Sequence, residues 1–145
     1  MKRSTPARRI VAISDHDVST VDGAYQHGLQ LARDGDFFAA HEAFETAWRA
    51  CAIEERDFFQ GLVHVVVSAY QRGRGRPVAT ERQRVKALRR LEPFEPVHRG
   101  IDVAALRRAL DRAEPDPRQY LVDRRAQPPI AVEEEQQAER DEGGP

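Results

Sequence analysis

The stretch from Phe58 to Tyr70 limits what this chain can fold into more than any other part of it. Wound as an α-helix from about Glu54 to Arg72, it puts Phe58, Leu62, Val65, Val66 and Ala69 on one face. Phe59, Val63, Val67 and Tyr70 widen that face beyond half the circumference. A helix this apolar has to be central, with neighbours on several sides. Length then limits the neighbours, since 145 residues supply one core with tails and not two independent cores.

The neighbours are legible on either side. A first helix from near Thr20 to Asp34 aligns Val21, Tyr25, Gly28 and Ala32, and Gly35 stops it. Asp36 caps a second, Phe37–Ala50, in which Phe37, Phe44 and Trp48 recur at helical spacing. After a break at Gly73, Gly75 and Pro77, Thr80 with Gln83 reads as a capping box for a fourth helix, Glu81–Leu91. Pro93 and Pro96 make the next connection extended, and Asp102 caps a fifth helix, Val103–Ala113. No alternating strand pattern interrupts this series. The expected fold is all-α, a compact bundle of about five helices with short loops over residues 18–114. Residues 1–17 read as a basic flexible leader. Residues 115–145 read as a disordered Pro/Glu-rich tail, with too little apolar surface to offset its ordering entropy.

Charge narrows the partners. With 23 basic and 24 acidic side chains, the chain does not have the profile of a general nucleic-acid binder or a polybasic membrane protein. Its longest apolar run, Gly61–Ala69, is interrupted by His64 and Ser68 and falls far short of the ~20 residues of a membrane span. Ile10–Ile13 is too short for a signal-peptide core. The lone Cys51 excludes an internal disulfide framework and suits a reducing compartment, so a cytoplasmic location is expected. One local exception stands out. Arg72, Arg74, Arg76, Arg82, Arg84, Lys86, Arg89 and Arg90 are accompanied by a single acid, Glu81. This stripe leaves RNA, an acidic protein or a phosphorylated ligand open as partners. No aromatic residues interleave it for base stacking, and a solvated amphipathic face accounts for it more simply.

Residues able to do chemistry gather on the second and third helices. Projected at about 100° per residue, His41 and Glu45 fall between Trp48 and Phe38, with Glu42 at the edge of the same arc. The i,i+4 pair His41 and Glu45 is therefore expected inside an aromatic face, as an acid/base couple, a partial metal site or a mutually satisfied structural pair. Glu55 projects onto the apolar face of the third helix in its first turn, where free backbone N–H groups stabilise a carboxylate. Gln60 and His64 form another i,i+4 pair on the opposite, solvated side. No Glu-x-x-His occurs, and the run from His41 to Glu45 lacks the second histidine of a zinc-protease motif. A single metal held by His41, Glu45, Glu55 and His64 stays open, and no cofactor class is indicated.

Two runs carry a family resemblance. Phe37-Phe38-Ala39-Ala40-His41-Glu42-Ala43-Phe44-Glu45-Thr46-Ala47-Trp48, followed by Glu55-Arg56-Asp57-Phe58-Phe59-Gln60-Gly61-Leu62, resembles the DUF309 family. The likeness extends through Gly73 toward Arg90–Phe94 and Arg99–Asp102, covering most of 25–110 and neither tail. It departs at His64, where glutamine is expected, and at Arg74, where asparagine is. The resemblance implies a small all-helical bacterial protein of unknown function. It marks His41, Glu42, Glu45, Trp48, Glu55, Gln60 and His64 as the polar site to follow.

Two functional readings result. In one, the chain is a binding or interaction module for an unidentified protein or small molecule, its buried His/Glu network being structural. In the other, a small hydrolase-like or metal-assisted site lies between helices two and three, with His41 as base, Glu45 orienting it and Glu55 as a further acid or ligand. The first is preferred because no complete catalytic signature is present.

Overall fold

A computed structural model describes residues 20–126. Five α-helices run in order: α1 (Val21–Arg33), α2 (Phe37–Ala50), α3 (Arg56–Gly73), α4 (Pro77–Leu91) and α5 (Val103–Asp111). A 3₁₀ turn, Ile53–Glu55, leads into α3, and another, Glu92–Phe94, follows α4. The all-α bundle is therefore confirmed. Its central helix is α3, flanked by α2 and α4, while α1 packs on α2 and α5 on α4. Phe58, Phe59, Leu62, Val65 and Val66 of α3 are buried together with Tyr25 and Leu29 of α1 and Leu91 of α4. Gly61 lets α4 approach α3 closely, since a Cβ there would stand 2.6 Å from two carbons of the Leu91 side chain. The caps read from sequence form: Asp36 accepts from the Ala39 amide at 3.2 Å and Asp102 from the Ala105 amide at 2.9 Å.

Four local expectations are corrected. Helix α4 begins at Pro77, where the missing N–H costs nothing, so Thr80 lies inside the helix and its hydroxyl donates to the Arg76 carbonyl. The presumed capping-box glutamine, Gln83, is thereby free to bond elsewhere. Between Pro96 and α5 the chain makes a hairpin, β1 (Val97–His98) paired antiparallel with β2 (Ile101–Asp102). Its two central residues, Arg99 and Gly100, have φ of 48° and 80°, the geometry of a type I′ turn. Gly100 is obligatory there twice over, because a Cβ would also run into Asp123 Oδ1.

The third correction concerns the phase of α2. Its buried face is Ala40, Phe44 and Ala47, not an aromatic arc containing His41 and Glu45. Two alanines let neighbouring helices approach closely, and the larger Phe37, Phe38 and Trp48 are displaced to the rim, where Phe38 is 50% exposed. The fourth concerns the C-terminal segment. Residues 115–126, expected in a disordered tail, cover the bundle: Leu121 is fully buried in the core and Asp123 is 4% exposed. Asp123 accepts from Gln26 Nε2 of α1 at 2.7 Å, and the Arg124 amide donates to the Gly100 carbonyl. One apolar anchor and one buried carboxylate suffice where composition alone suggested neither. The expected leader, 1–17, and the rest of the tail, 127–145, lie outside the described residues.

Candidate functional site

The residues singled out from sequence go to three separate places. Glu55 ends the 3₁₀ turn before α3 and does not lie on the apolar face of that helix. Its carboxylate receives a two-pronged bond from Arg99, Nε to Oε2 at 2.6 Å and Nη2 to Oε1 at 2.9 Å. His98 Nε2 donates to Oε2 at 2.8 Å. The Arg99 guanidinium holds Glu55 below the ordinary carboxylate range, against the opposing effect of burial. Around this knot the packing is aromatic. The His98 ring meets Phe58 edge-on at 4.5 Å and Phe94 at 4.9 Å, and Arg99 lies over the rings of Tyr25 and Phe59. Tyr25 donates its hydroxyl to the Arg99 carbonyl, and burial pushes that phenol's pKa up. The cluster fastens the hairpin to the start of α3.

On α2, His41 Nε2 lies 3.2 Å from Glu45 Oε2, so the expected pair exists. Its setting differs from the expectation. The side chains are 23% and 38% exposed, and Glu45 also faces Arg49 at 3.5 Å. The His41 ring packs beside Phe38, which in turn meets Tyr70 of α3. Glu42 is exposed. With Nε2 facing the carboxylate, Nδ1 is left buried without a partner, as is Nε1 of Trp48 two turns along.

His64 was expected to be solvated. It is half-buried, and its Nδ1 donates to Gln83 Oε1 of α4 at 2.6 Å. Burial lowers its pKa below the ordinary histidine value. Gln60, His64, Val67 and Gln71 follow one another at helical spacing, and all are half-buried. They form the outer side of α3, opposite its core face and shaded by α2 and α4. The His41–Glu45 pair, Glu55 and His64 thus lie in three different environments, and the four-residue metal site does not form. Among the described residues no group of three or more His, Cys, Asp or Glu could hold a metal ion.

Where α2 ends and α3 begins, the surface opens into a groove of about 440 Å³, lined by Trp48, Ile53, Glu54, Arg56, Asp57, Gln60, Arg90, Pro93 and Phe94. Arg56 stacks on the Trp48 ring at 4.6 Å, and Arg90 pairs with Asp57 at 2.7 Å while its own Nε is buried and unpartnered. Ile53, at 77% exposure, is the most exposed large apolar residue of the described chain. Of the sequence candidates only Trp48 and Gln60 reach this groove. Ile53, Arg56 and Phe94 were missed, as were His98 and Arg99 at the hairpin, while Arg90 was read only as part of the basic stripe. The Arg99-Gly100 pair between Val97-His98 and Ile101-Asp102 was the available sign of the hairpin. An isoleucine directly before two acids, Glu54 and Glu55, and outside any periodic stripe was the available sign of the groove.

The family described as a domain of unknown function, DUF309, matches residues 25–82. Over those residues the chain is similar to the DUF309 family. No curated protein and no solved structure matches it. The DUF309 match takes in α1 to α3 and the first turns of α4, and with them His41, Glu45, Trp48, Glu55, Gln60 and His64. His98, Arg99 and the covering segment lie beyond it. Glu55 is therefore completed by residues outside the matched region. The groove draws Trp48, Ile53, Arg56 and Gln60 from inside the region, and Arg90 and Phe94 from outside.

Proposed function

We propose that this protein is a cytoplasmic binding module that takes a peptide segment of a protein partner into the groove between Trp48 and Phe94. The observation that carries this reading is Ile53, held in the open beside Trp48, Phe94 and Pro93 by the 3₁₀ turn that Glu55 anchors. An exposed aliphatic residue ringed by aromatic and charged side chains is the arrangement of a protein-binding patch, with an apolar centre and a polar rim. The groove is open along its length, whereas small-molecule sites enclose most of their ligand. His41, Glu45 and Glu55 do not line it, and the Glu55 carboxylate is already engaged by Arg99 and His98, which favours binding over hydrolysis. No helix of the described residues is long and apolar enough to cross a membrane.

The chain's single tryptophan reports on the groove directly. Peptides selected from a displayed library on the purified chain should shift Trp48 emission and bind at least tenfold more weakly to Ile53→Glu. Selected peptides that leave the emission unchanged and bind Ile53→Glu equally well would overturn the proposal.

A further inference from the structure

A second surface runs along the outer side of α4, away from the groove. Val78, Arg82, Val85 and Arg89 recur at helical spacing and form one stripe. All four are exposed, Val78 at 65% and Val85 at 43%. Arg84 and Arg90, on the inner flanks of α4, have carboxylate partners in Glu81 and Asp57. Among the described residues Arg82, Arg89 and the adjacent Lys86 have none. Apolar and cationic side chains thus alternate along a helix face that no other described residue covers.

The same chain carries the complement. Residues 131–142 hold six acids and one base, and Ala131, Glu135, Ala138 and Glu142 follow one another at the spacing of the α4 stripe. Apolar and charged positions alternate there too, with the charge inverted, and three of them, Glu135, Ala138 and Glu142, match Arg89, Val85 and Arg82 when the two runs are antiparallel. Position also fits. Asp57 bonds Arg90, and Glu55 bonds Arg99, so the end of α4 and the hairpin share one end of the bundle. The described chain stops there, at Ala126, whose amide donates to Asp123 beneath the hairpin. Five further residues reach Ala131 and span up to ~17 Å. A tether this short holds an acidic segment near α4 at millimolar effective concentration.

We propose that the acidic segment Ala131–Glu142 docks along the outer stripe of α4 in the same molecule. Entering from the hairpin end, it runs antiparallel to α4. That direction sets Glu135 beside Arg89, Ala138 beside Val85 and Glu142 beside Arg82. The segment neutralises this basic surface of α4 and withholds it from other anionic partners.

A nitroxide at Gln137→Cys, in a full-length Cys51→Ser background, tests this by relaxation of backbone amide signals. Amides of α4 near Arg82, Val85 and Arg89 should lose at least half their intensity relative to the reduced label. The loss should vanish in about 0.5 M salt and in Arg82→Glu/Arg89→Glu, and return when Glu135→Arg/Glu142→Arg is added. In the chain without label, Glu135→Gln/Glu142→Gln should shift the same amides, which covers the case where the Cys51→Ser background fails to fold. No effect on α4, or an effect indifferent to these charge changes, would overturn the proposal. So would an effect seen only between spin-labelled and isotope-labelled molecules in a mixture, because that would put the segment on a second copy.

Discussion

At the hairpin end of the bundle, Glu55 receives three hydrogen bonds from Arg99 and His98, and no buried side-chain polar atom of the three residues is left unpaired. Along the α2 side, His41 and Trp48 each keep a buried nitrogen with no partner, and the His41–Glu45 pair lies at a partly exposed rim. The contrast separates architecture from opportunity. A carboxylate held by a guanidinium fork, among packed rings, is a fastening whose loss the fold must feel. A rim pair beside unpaired ring nitrogens can gain bonds from a partner without breaking bonds inside the protein. The first region fixes where the 3₁₀ turn stands, and so where Ile53 is displayed. The second leaves the Trp48 nitrogen unpaired at the edge of the groove.

This comparison can be broken most directly from the covered side. Leu121→Ala should lower stability by about 2–4 kcal/mol in a denaturant melt, since it empties a fully buried site where residues 115–126 close the core. A negligible change would mean that the segment is not part of the cooperative unit.

Next in size is Arg99→Ala, expected to cost about 2 kcal/mol by stranding Glu55, a figure kept modest because both side chains are one-fifth exposed. In a double-mutant cycle with Glu55→Gln the coupling should be about 1 kcal/mol or more. Arg99→Lys should recover only part of the loss, because a lysine cannot supply the fork. The pH dependence follows from the direction of the shift. Glu55 ionises more readily in the folded chain than in the unfolded one, so its contribution is present above about pH 4.5 and disappears as pH falls below that. Arg99→Ala should flatten acid unfolding in that window.

His64 sharpens the contrast at higher pH. Its folded pKa is lowered by burial, so the unfolded chain takes up a proton first as pH falls below about 6.5, and stability drops there. His64→Gln keeps an amide toward Gln83 and should remove this slope, an effect smaller than that of Arg99→Ala. Melting curves at closely spaced pH values would show a persistent slope if another group is responsible.

The smallest effect is expected at the rim. His41→Ala and Glu45→Ala should each change stability by less than about 1 kcal/mol, as ion pairs with this exposure do. A loss of 2 kcal/mol or more from either would return the pair to the core and erase the difference between the two regions.

The sequence by itself determined the features that neighbours along the chain decide. The half-apolar surface of Phe58–Tyr70 makes α3 the centre, and the bounds of α2 and the Asp36 and Asp102 caps follow from residues three or four positions apart. Trp48 and Gln60 were pointed to by the family resemblance, which rests on runs of neighbouring residues. Contacts between distant segments were decided only in the tertiary structure. Glu55 meets Arg99 across 44 positions and His64 meets Gln83 across 19, so no local period announces either pair. The phase of α2 was misjudged for a related reason. Ring size marks the apolar side of an isolated helix, but in the bundle two alanines allow the closer approach and take the buried face. Leu121 makes the same point, because one side chain in a proline-rich stretch becomes core only when a pocket formed by other helices is there to receive it.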